Sequence, residues 1–286
     1  MKVSAVVLTT GARPAELAAA LDSVRIQRAV DVELIVVRNA VQAEATLQRD
    51  GDVLWVSPCD NLGIPGGRNV GASHATGALL LFLDDDAVLA GPDVLAQAVG
   101  RLAADPQLAV VTMRLVDPIS GRTERRHVPR LRVGDPTRSS WVTTFLGGAC
   151  VIRRTAFDEA GGLPARFFYA HEETSLAWRL LDLGYRIRYA GDLVVRHPAA
   201  SPARHDRYNE LTARNRVLLA RMHLPWPVAV LYLGVWVVAT LLRERRVNRA
   251  WWRGFRSGLT ADHVVRHPIR WSTIWRMTRY GRPPLV

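Results

Sequence analysis

The front of the chain alternates between short apolar runs and segments with helical spacing. Val3-Ser4-Ala5-Val6-Val7-Leu8 predicts a buried strand, broken by Thr9-Thr10-Gly11. Pro14 stands where a helix accepts a first-turn proline, and Leu17, Leu21 and Val24 follow at helical intervals. Val32 to Val37 and Val53 to Val56 predict two further strands. Pro65 opens a helix expected to run to about Ala75, and Leu79-Leu80-Leu81-Phe82-Leu83 is a strand without a polar residue. Pro92 starts another helix, Leu108 to Val116 is another strand, and Pro118 to Gly121 is a turn. Apolar strands separated by helices predict an α/β fold, a mostly parallel central sheet with helices on both faces.

Composition narrows this picture. The sequence has 286 residues, 49% apolar and 22% charged, which excludes a disordered or fibrous chain and allows one large domain or two ordinary ones. Two cysteines, Cys59 and Cys150, exclude a disulfide scaffold and fit a reduced, cytoplasmic compartment. Met1 to Val6 runs straight into the first strand pattern, so no signal peptide is expected. The net charge of +12 is unevenly placed. Residues 1–195 hold 21 basic and 22 acidic side chains, whereas 196–286 hold 17 and 4. Six of the nine tryptophans also fall in that last segment. The expected division is an α/β domain over 1–200 and a basic, Trp-rich helical region over 201–286.

The chemistry concentrates where the fourth strand ends, in Asp84-Asp85-Asp86. Open α/β sheets bind ligands at the carboxyl ends of their strands. Alternation in an extended segment sends Asp84 and Asp86 to one side and Asp85 to the other. Adjacent carboxylates repel one another, and a divalent cation such as Mg²⁺ or Mn²⁺ resolves the conflict. A solvated turn is the ordinary alternative, but the position directly after five apolar strand residues favours the cation. Upstream, Asn61-Leu62-Gly63-Ile64-Pro65-Gly66-Gly67-Arg68 joins glycines to a helix start, with Arg68 available to a diphosphate.

Six blocks follow in a set order: V-V-L-T-T-G-A-R-P, E-L-I-V-V-R-N, N-L-G-I-P-G-G-R-N-V-G, L-L-L-F-L-D-D-D, F-L-G-G-A-C-V-I-R-R and F-F-Y-A-H-E-E-T-S-L-A-W-R-L-L-D-L-G-Y-R. V-V-R-H and A-R-N-R come after them. Over roughly residues 3 to 220 the chain resembles glycosyltransferase family 2, in its rhamnosyl- and galactofuranosyltransferase-like branch. The resemblance implies a GT-A fold and an inverting, metal-dependent transfer from a nucleotide-diphosphate sugar, UDP- or dTDP-linked. Asp84 and Asp86 match the D-x-D positions and His197 a further metal contact. Glu173 matches the general base, with Glu172 beside it. Thr10, Arg13, Asn39, Asn61, Gly66, Arg68, Asp84 and Asp85 are expected at the donor, and Gly147 and Gly148 on the acceptor side. The chain departs from the pattern in four places. Ala12 replaces Asn, Arg38 replaces the Asp that reads the base, Glu173 replaces Asp, and Ser175 replaces a frequent Asp. Trp178 and Arg179 are expected as helix core and structural ion pair.

In the basic region, Val228 to Leu242 is 15 apolar or uncharged residues, flanked by Arg221 and by Arg243-Glu244-Arg245-Arg246. As a helix it reaches roughly 22 Å against a hydrocarbon core of about 30 Å, which fits an in-plane or re-entrant segment better than a span. Trp mixed with Arg suits an anionic headgroup surface. The expectation is a peripheral enzyme at the inner face of the cell membrane, acting on a lipid-linked or cell-envelope glycan, with packing onto the catalytic domain as the alternative. No nucleic-acid-binding motif accompanies the charge. A nucleotidyltransferase or phosphohydrolase using the same acidic strand end, and a non-catalytic membrane-bound relative, are the competing functions.

Overall fold

The computed structural model describes residues 1–40, 44–199, 207–243 and 249–285. Ten strands form one sheet, with helices against both faces. In chain order they are β1 (Lys2–Thr9), α1 (Pro14–Arg25), β2 (Asp31–Arg38), β3 (Thr46–Asp50), β4 (Val53–Ser57), α2 (Gly63–Ser73), β5 (Leu79–Asp84) and β6 (Val88–Leu89). Then come α3 (Val94–Ala104), β7 (Leu108–Val116), β8 (Ser140–Trp141), β9 (Ala149–Arg153), α4 (Arg154–Glu159), α5 (Glu172–Asp182) and β10 (Arg186–Arg196). Four helices follow: α6 (Tyr208–His223), α7 (Trp226–Arg243), α8 (Arg249–Thr260) and α9 (Trp271–Arg279).

The strand order is β3-β4-β2-β1-β5-β9-β7-β10-β6, with β8 on β10. β4, β2, β1 and β5 run parallel, as the apolar runs predict. The sheet as a whole is mixed rather than mostly parallel. β9 enters antiparallel between β5 and β7, and β3 turns back antiparallel on β4. Strand β9 carries the buried run Ala149-Cys150-Val151-Ile152, which joins the sheet's two halves. The edge strand β3, Thr-Leu-Gln-Arg-Asp, is exposed throughout and has no apolar alternation to announce it.

Alternation along β1 and β5 separates two cores. Val3, Ala5, Val7, Leu79, Leu81 and Leu83 face α1 and α3. Val6, Leu80 and Phe82 face the opposite core, which holds Ala72 of α2, Phe157 of α4 and Leu176 of α5. That second core continues into the basic region through Leu218 and Leu219 of α6, Val228, Ala229 and Tyr232 of α7, and Met277 of α9. These helices therefore pack on the sheet. The expected boundary at 200/201 lies outside the described residues, as does most of the basic run after α7.

Helix α8 lies so close to α6 that a Cβ on Gly254 would meet the Glu210 backbone, and one on Gly258 the Arg214 carbonyl and Val217. Gly254→Val should therefore push the helices apart and lower stability by about 1–3 kcal/mol, read by denaturant unfolding.

Candidate active site

The carboxyl ends of β1, β2 and β5 open onto a cleft of about 650 Å³. Thr9, Thr10, Ala12, Arg13, Asn39, Asn61, Asp84, Asp85, Asp86 and His197 line it, together with Phe168 and Tyr169. The backbone turns after Asp84, and each aspartate meets a different partner. Asp84 accepts from Arg68 Nη2 at 2.8 Å. Asp85 accepts from the Thr9 hydroxyl at 2.6 Å and from Arg13 at 2.5 Å. Asp86 takes the other Arg13 nitrogen, and His197 Nε2 lies 3.2 Å from its Oδ1 and 3.8 Å from Asp84 Oδ2. Burial pushes the Asp85 carboxyl up, against the Thr9 hydrogen bond and the Arg13 charge. Burial opposes protonation of His197, but its Asp86 hydrogen bond and the charges of Asp84 and Asp86 raise its pKa above the ordinary imidazole value.

One oxygen or nitrogen each from Asp84, Asp86 and His197 lie within 4.8 Å of one another. Two hard carboxylate oxygens plus an imidazole fit Mn²⁺, and Mg²⁺ less well because of the nitrogen. The His127 ring stands edge-on to His197, centroids 5.7 Å apart. Burial, then Arg126 and His197, lower the His127 pKa to about 4, so a neutral ring backs the cluster. His127 has no motif in the sequence that would have revealed it.

The paired glutamates open α5, where the helix dipole favours acids. They have different surroundings. Glu172 is 2% exposed and its Oε2 has no hydrogen-bond partner among the described residues. Burial, then the neighbouring Glu173, push its pKa to about 8. The Glu173 side chain is 22% exposed and accepts from Arg68 Nη1 at 3.3 Å. Burial raises its pKa too, opposed by the Arg68 charge. Arg68 is thus not turned toward a diphosphate. Its buried guanidinium joins Asp84 to Glu173, and their charges outweigh its burial and hold its pKa up.

The glycines make this packing feasible. A Cβ on Gly148 would lie on the Asp84 carboxylate, and one on Gly147 on Arg68 and Glu173. The space where their side chains would stand is filled by the protein's own charged groups. Gly66 faces Leu62 inside the fold, away from the cleft. Asn39 lines the cleft, but its amide bonds Gly63 O and Leu62 N, which fixes the start of α2. Asn61 Oδ1 accepts from Gly63 N at 2.9 Å. Arg38, at the base-reading position, stacks on Trp55 4.4 Å from the ring centroid. Trp178 is core, as expected, while Arg179 donates to the Gly162 carbonyl and, among the described residues, does not form the expected ion pair. Ser175 bonds His223 of α6 at 2.8 Å.

Sequence reasoning missed the residue that shapes this wall. Phe168, Ala170 and His171 all have positive φ, 61°, 70° and 69°. Such strain persists only where the surroundings over-determine it. The Asn215 amide nitrogen, buried on α6, donates toward the carbonyls of Phe167, Tyr169 and Ala170 at 2.7–2.9 Å. The A-R-N-R block carries this clamp, and Arg214 adds bonds to the Arg166 and Phe167 carbonyls.

Comparison with known proteins bears on the family and the fold. The chain is 26% identical over 143 residues to the O-antigen chain rhamnosyltransferase RfbN of Salmonella typhimurium, covering 46% of this chain and 45% of that protein. It thus spans less than half the length of that relative. Its fold is similar to that of the mannosyltransferase PcManGT from Pyrobaculum calidifontis in complex with GDP-Man and Mn²⁺, with a TM-score of 0.53, 19% identity, and 98% of this chain and 72% of that chain covered. GalNAc-T7 with UDP, GalNAc and Mn²⁺ aligns with a TM-score of 0.64 at 14% identity, over 98% of this chain and 57% of that one. Residues 4–161, more than half of the chain, match the profile of Glycosyl transferase family 2, and the chain belongs to that family.

Proposed function

We propose that this glycosyltransferase inverts the anomeric carbon as it moves a sugar from a UDP- or dTDP-linked donor to a hydroxyl of a lipid-linked or cell-envelope acceptor. One observation carries the reading. The candidate cation cluster Asp84–Asp86–His197 and the candidate base Glu173 are joined through a single buried guanidinium.

Asp84, Asp86 and His197 would hold the cation. Bound there, Mn²⁺ or Mg²⁺ would supply charge stabilisation to the departing nucleotide diphosphate. Arg13, already on Asp85 and Asp86, orients both carboxylates at the cleft floor. Of the two glutamates, Glu172 is closed off and keeps its proton. Glu173 has an exposed edge and a cationic neighbour, so it is the group able to receive a proton from an acceptor hydroxyl. Phe168 and Tyr169, which line the same cleft, would give the donor aromatic surface to pack on.

We place the protein at the inner face of the cytoplasmic membrane. No helix among the described residues is long and apolar enough to cross a membrane. Helix α7 instead buries Val228, Ala229 and Tyr232 and exposes Val230, Leu231, Val238, Leu241 and Leu242. Trp226, Trp271 and Trp275 are exposed as well, in the chain's most basic region. An apolar stripe with aromatic and Arg neighbours suits an anionic interface.

In calorimetry, Asp86→Ala should abolish Mn²⁺-dependent binding of a nucleotide diphosphate. Glu173→Gln should keep that binding and lose about 10²-fold or more in turnover. Sugar release without transfer to any acceptor, or a nucleotidyl product, would overturn the reading. The elevated Glu172 pKa has a defined sign. The unfolded chain loses this proton near the ordinary glutamate range and the folded chain only near pH 8, so stability falls as pH rises between them. The slope is at most about 1.4 kcal/mol per pH unit, and Glu172→Gln should flatten it in unfolding curves. In flotation assays, replacing Trp226, Trp271 and Trp275 together by Ser should reduce partitioning onto phosphatidylglycerol vesicles.

A further inference from the structure

Two arginines meet the aspartates of the cleft, and they are held differently. Arg68 is sealed in, its side chain 3% exposed. The Arg13 side chain is 35% exposed, while the carboxylates it grips, Asp85 and Asp86, are 3% and 5% exposed. Arg13 immediately precedes Pro14, the first residue of α1, and its side chain makes no cap for that helix. Its guanidinium instead reaches the turn after β5, 72 and 73 positions along the chain. Nη2 donates to Asp85 Oδ1 at 2.5 Å and Nη1 to Asp86 Oδ2. The other oxygen of Asp86, Oδ1, lies 3.2 Å from His197 Nε2. One carboxylate is thus shared between a guanidinium and the candidate cation cluster.

These contacts have two opposed effects. Neighbouring carboxylates repel one another, and the guanidinium lets Asp85 and Asp86 stand side by side without a metal. The same positive charge, set on Asp86, repels a second cation on that carboxylate. The side chain is also placed to leave. It lines the cleft, and the residues before it, Thr10-Gly11-Ala12, are exposed, so its departure opens no core. Gly11 has φ 82°, and a Cβ on it would meet nothing within 4 Å. A guanidinium fork matches phosphate oxygens as well as carboxylates, so a diphosphate in the cleft offers Arg13 an equivalent partner.

We propose that Arg13 is an internal counter-cation that sets how tightly this cleft holds a divalent ion. In the bare protein it neutralises Asp85 and Asp86 and weakens the cluster's hold on the ion. When a nucleoside diphosphate enters, Arg13 passes to its phosphates and Asp86 is released to the ion. Ion and nucleotide then bind with positive coupling, each tightening the other by the same factor. Arg13 is a positioning residue here, acting through Asp86. The inference rests on the glycosyltransferase reading for the identity of the nucleotide. Its first consequence, the strength of Mn²⁺ binding to the protein alone, needs neither donor nor acceptor.

The test is calorimetric titration of the full chain with Mn²⁺ alone. Arg13→Gln should bind Mn²⁺ about tenfold more tightly than wild-type protein, the reverse of what loss of a merely structural contact would do. Arg13→Lys, which keeps the charge, should stay near wild type. Adding Asp86→Asn to Arg13→Gln should remove the gain. A second titration follows UDP in EDTA and in saturating Mn²⁺. Wild-type protein should bind UDP about tenfold more tightly with the ion, and Arg13→Gln should lose most of that difference. Mn²⁺ binding that is no tighter in Arg13→Gln overturns the proposal. So does an equal gain in Arg13→Lys, or a gain that survives Asp86→Asn. UDP affinity that is the same in EDTA and in Mn²⁺ overturns the exchange. Absence of UDP binding under both conditions counts against the proposed donor and leaves the Mn²⁺ titration to decide on Arg13. Coupled binding without sugar transfer to any acceptor counts against the glycosyltransferase reading and leaves the role of Arg13 standing.

Discussion

The site depends on a guanidinium that has nowhere else to go. Arg68 is 2% exposed, on the α2 side of the sheet, its charge 5.9 Å from the Phe82 ring centroid. Arginine does not shed its proton to escape burial as lysine or histidine can. The fold must therefore bring carboxylates to it, and it brings Asp84 from the end of β5 and Glu173 from the first turn of α5. Leaving a buried charge without one of its partners typically costs about 3–5 kcal/mol. The two ends of the candidate reaction centre are thus spaced by folding energetics, before any substrate arrives. Gly147 and Gly148 belong to the same constraint, since a side chain on either would displace the groups that neutralise Arg68.

A second constraint runs from the basic helices into the catalytic wall. Three left-handed residues in a four-residue stretch are expensive, of order 1–3 kcal/mol each. The Asn215 amide and the packing of α6 on α5 hold them in place. Ser175 and His223 tie the same two helices from inside the core. The helical region is therefore part of the frame of the candidate site, whatever else its outer face meets.

Much of this was legible in the residues, and the rest was hidden for identifiable reasons. The parallel half of the sheet shows because β1, β2, β4 and β5 are apolar runs with helical spacing between most of them. Strand β9 was in plain view as F-L-G-G-A-C-V-I-R-R, but its direction depends on which neighbours it pairs with, and periodicity carries no such information. Edge strand β3 has no buried face to impose a pattern. The gathering of Asp84, Asp86 and His197 followed from the motif order, because strand ends in such sheets converge. Arg68 misled because a buried guanidinium and a phosphate-binding one look identical in sequence. Their difference lies in what packs around them. Asn215 shows no role in the A-R-N-R block, since a clamp on three carbonyls exists only once a distant loop has folded beneath it.

The Asn215 clamp also bears on how the protein matures. The loop it fixes precedes it by 45 to 48 positions, with α5 and β10 lying between them. During synthesis the aspartate-bearing strand, and even the glutamates, leave the ribosome well before the asparagine does. By then only the core on the α1 and α3 face has all its residues, and the wall of left-handed residues has no clamp to set it. The left-handed wall can therefore be set only once α6 has been made and has docked.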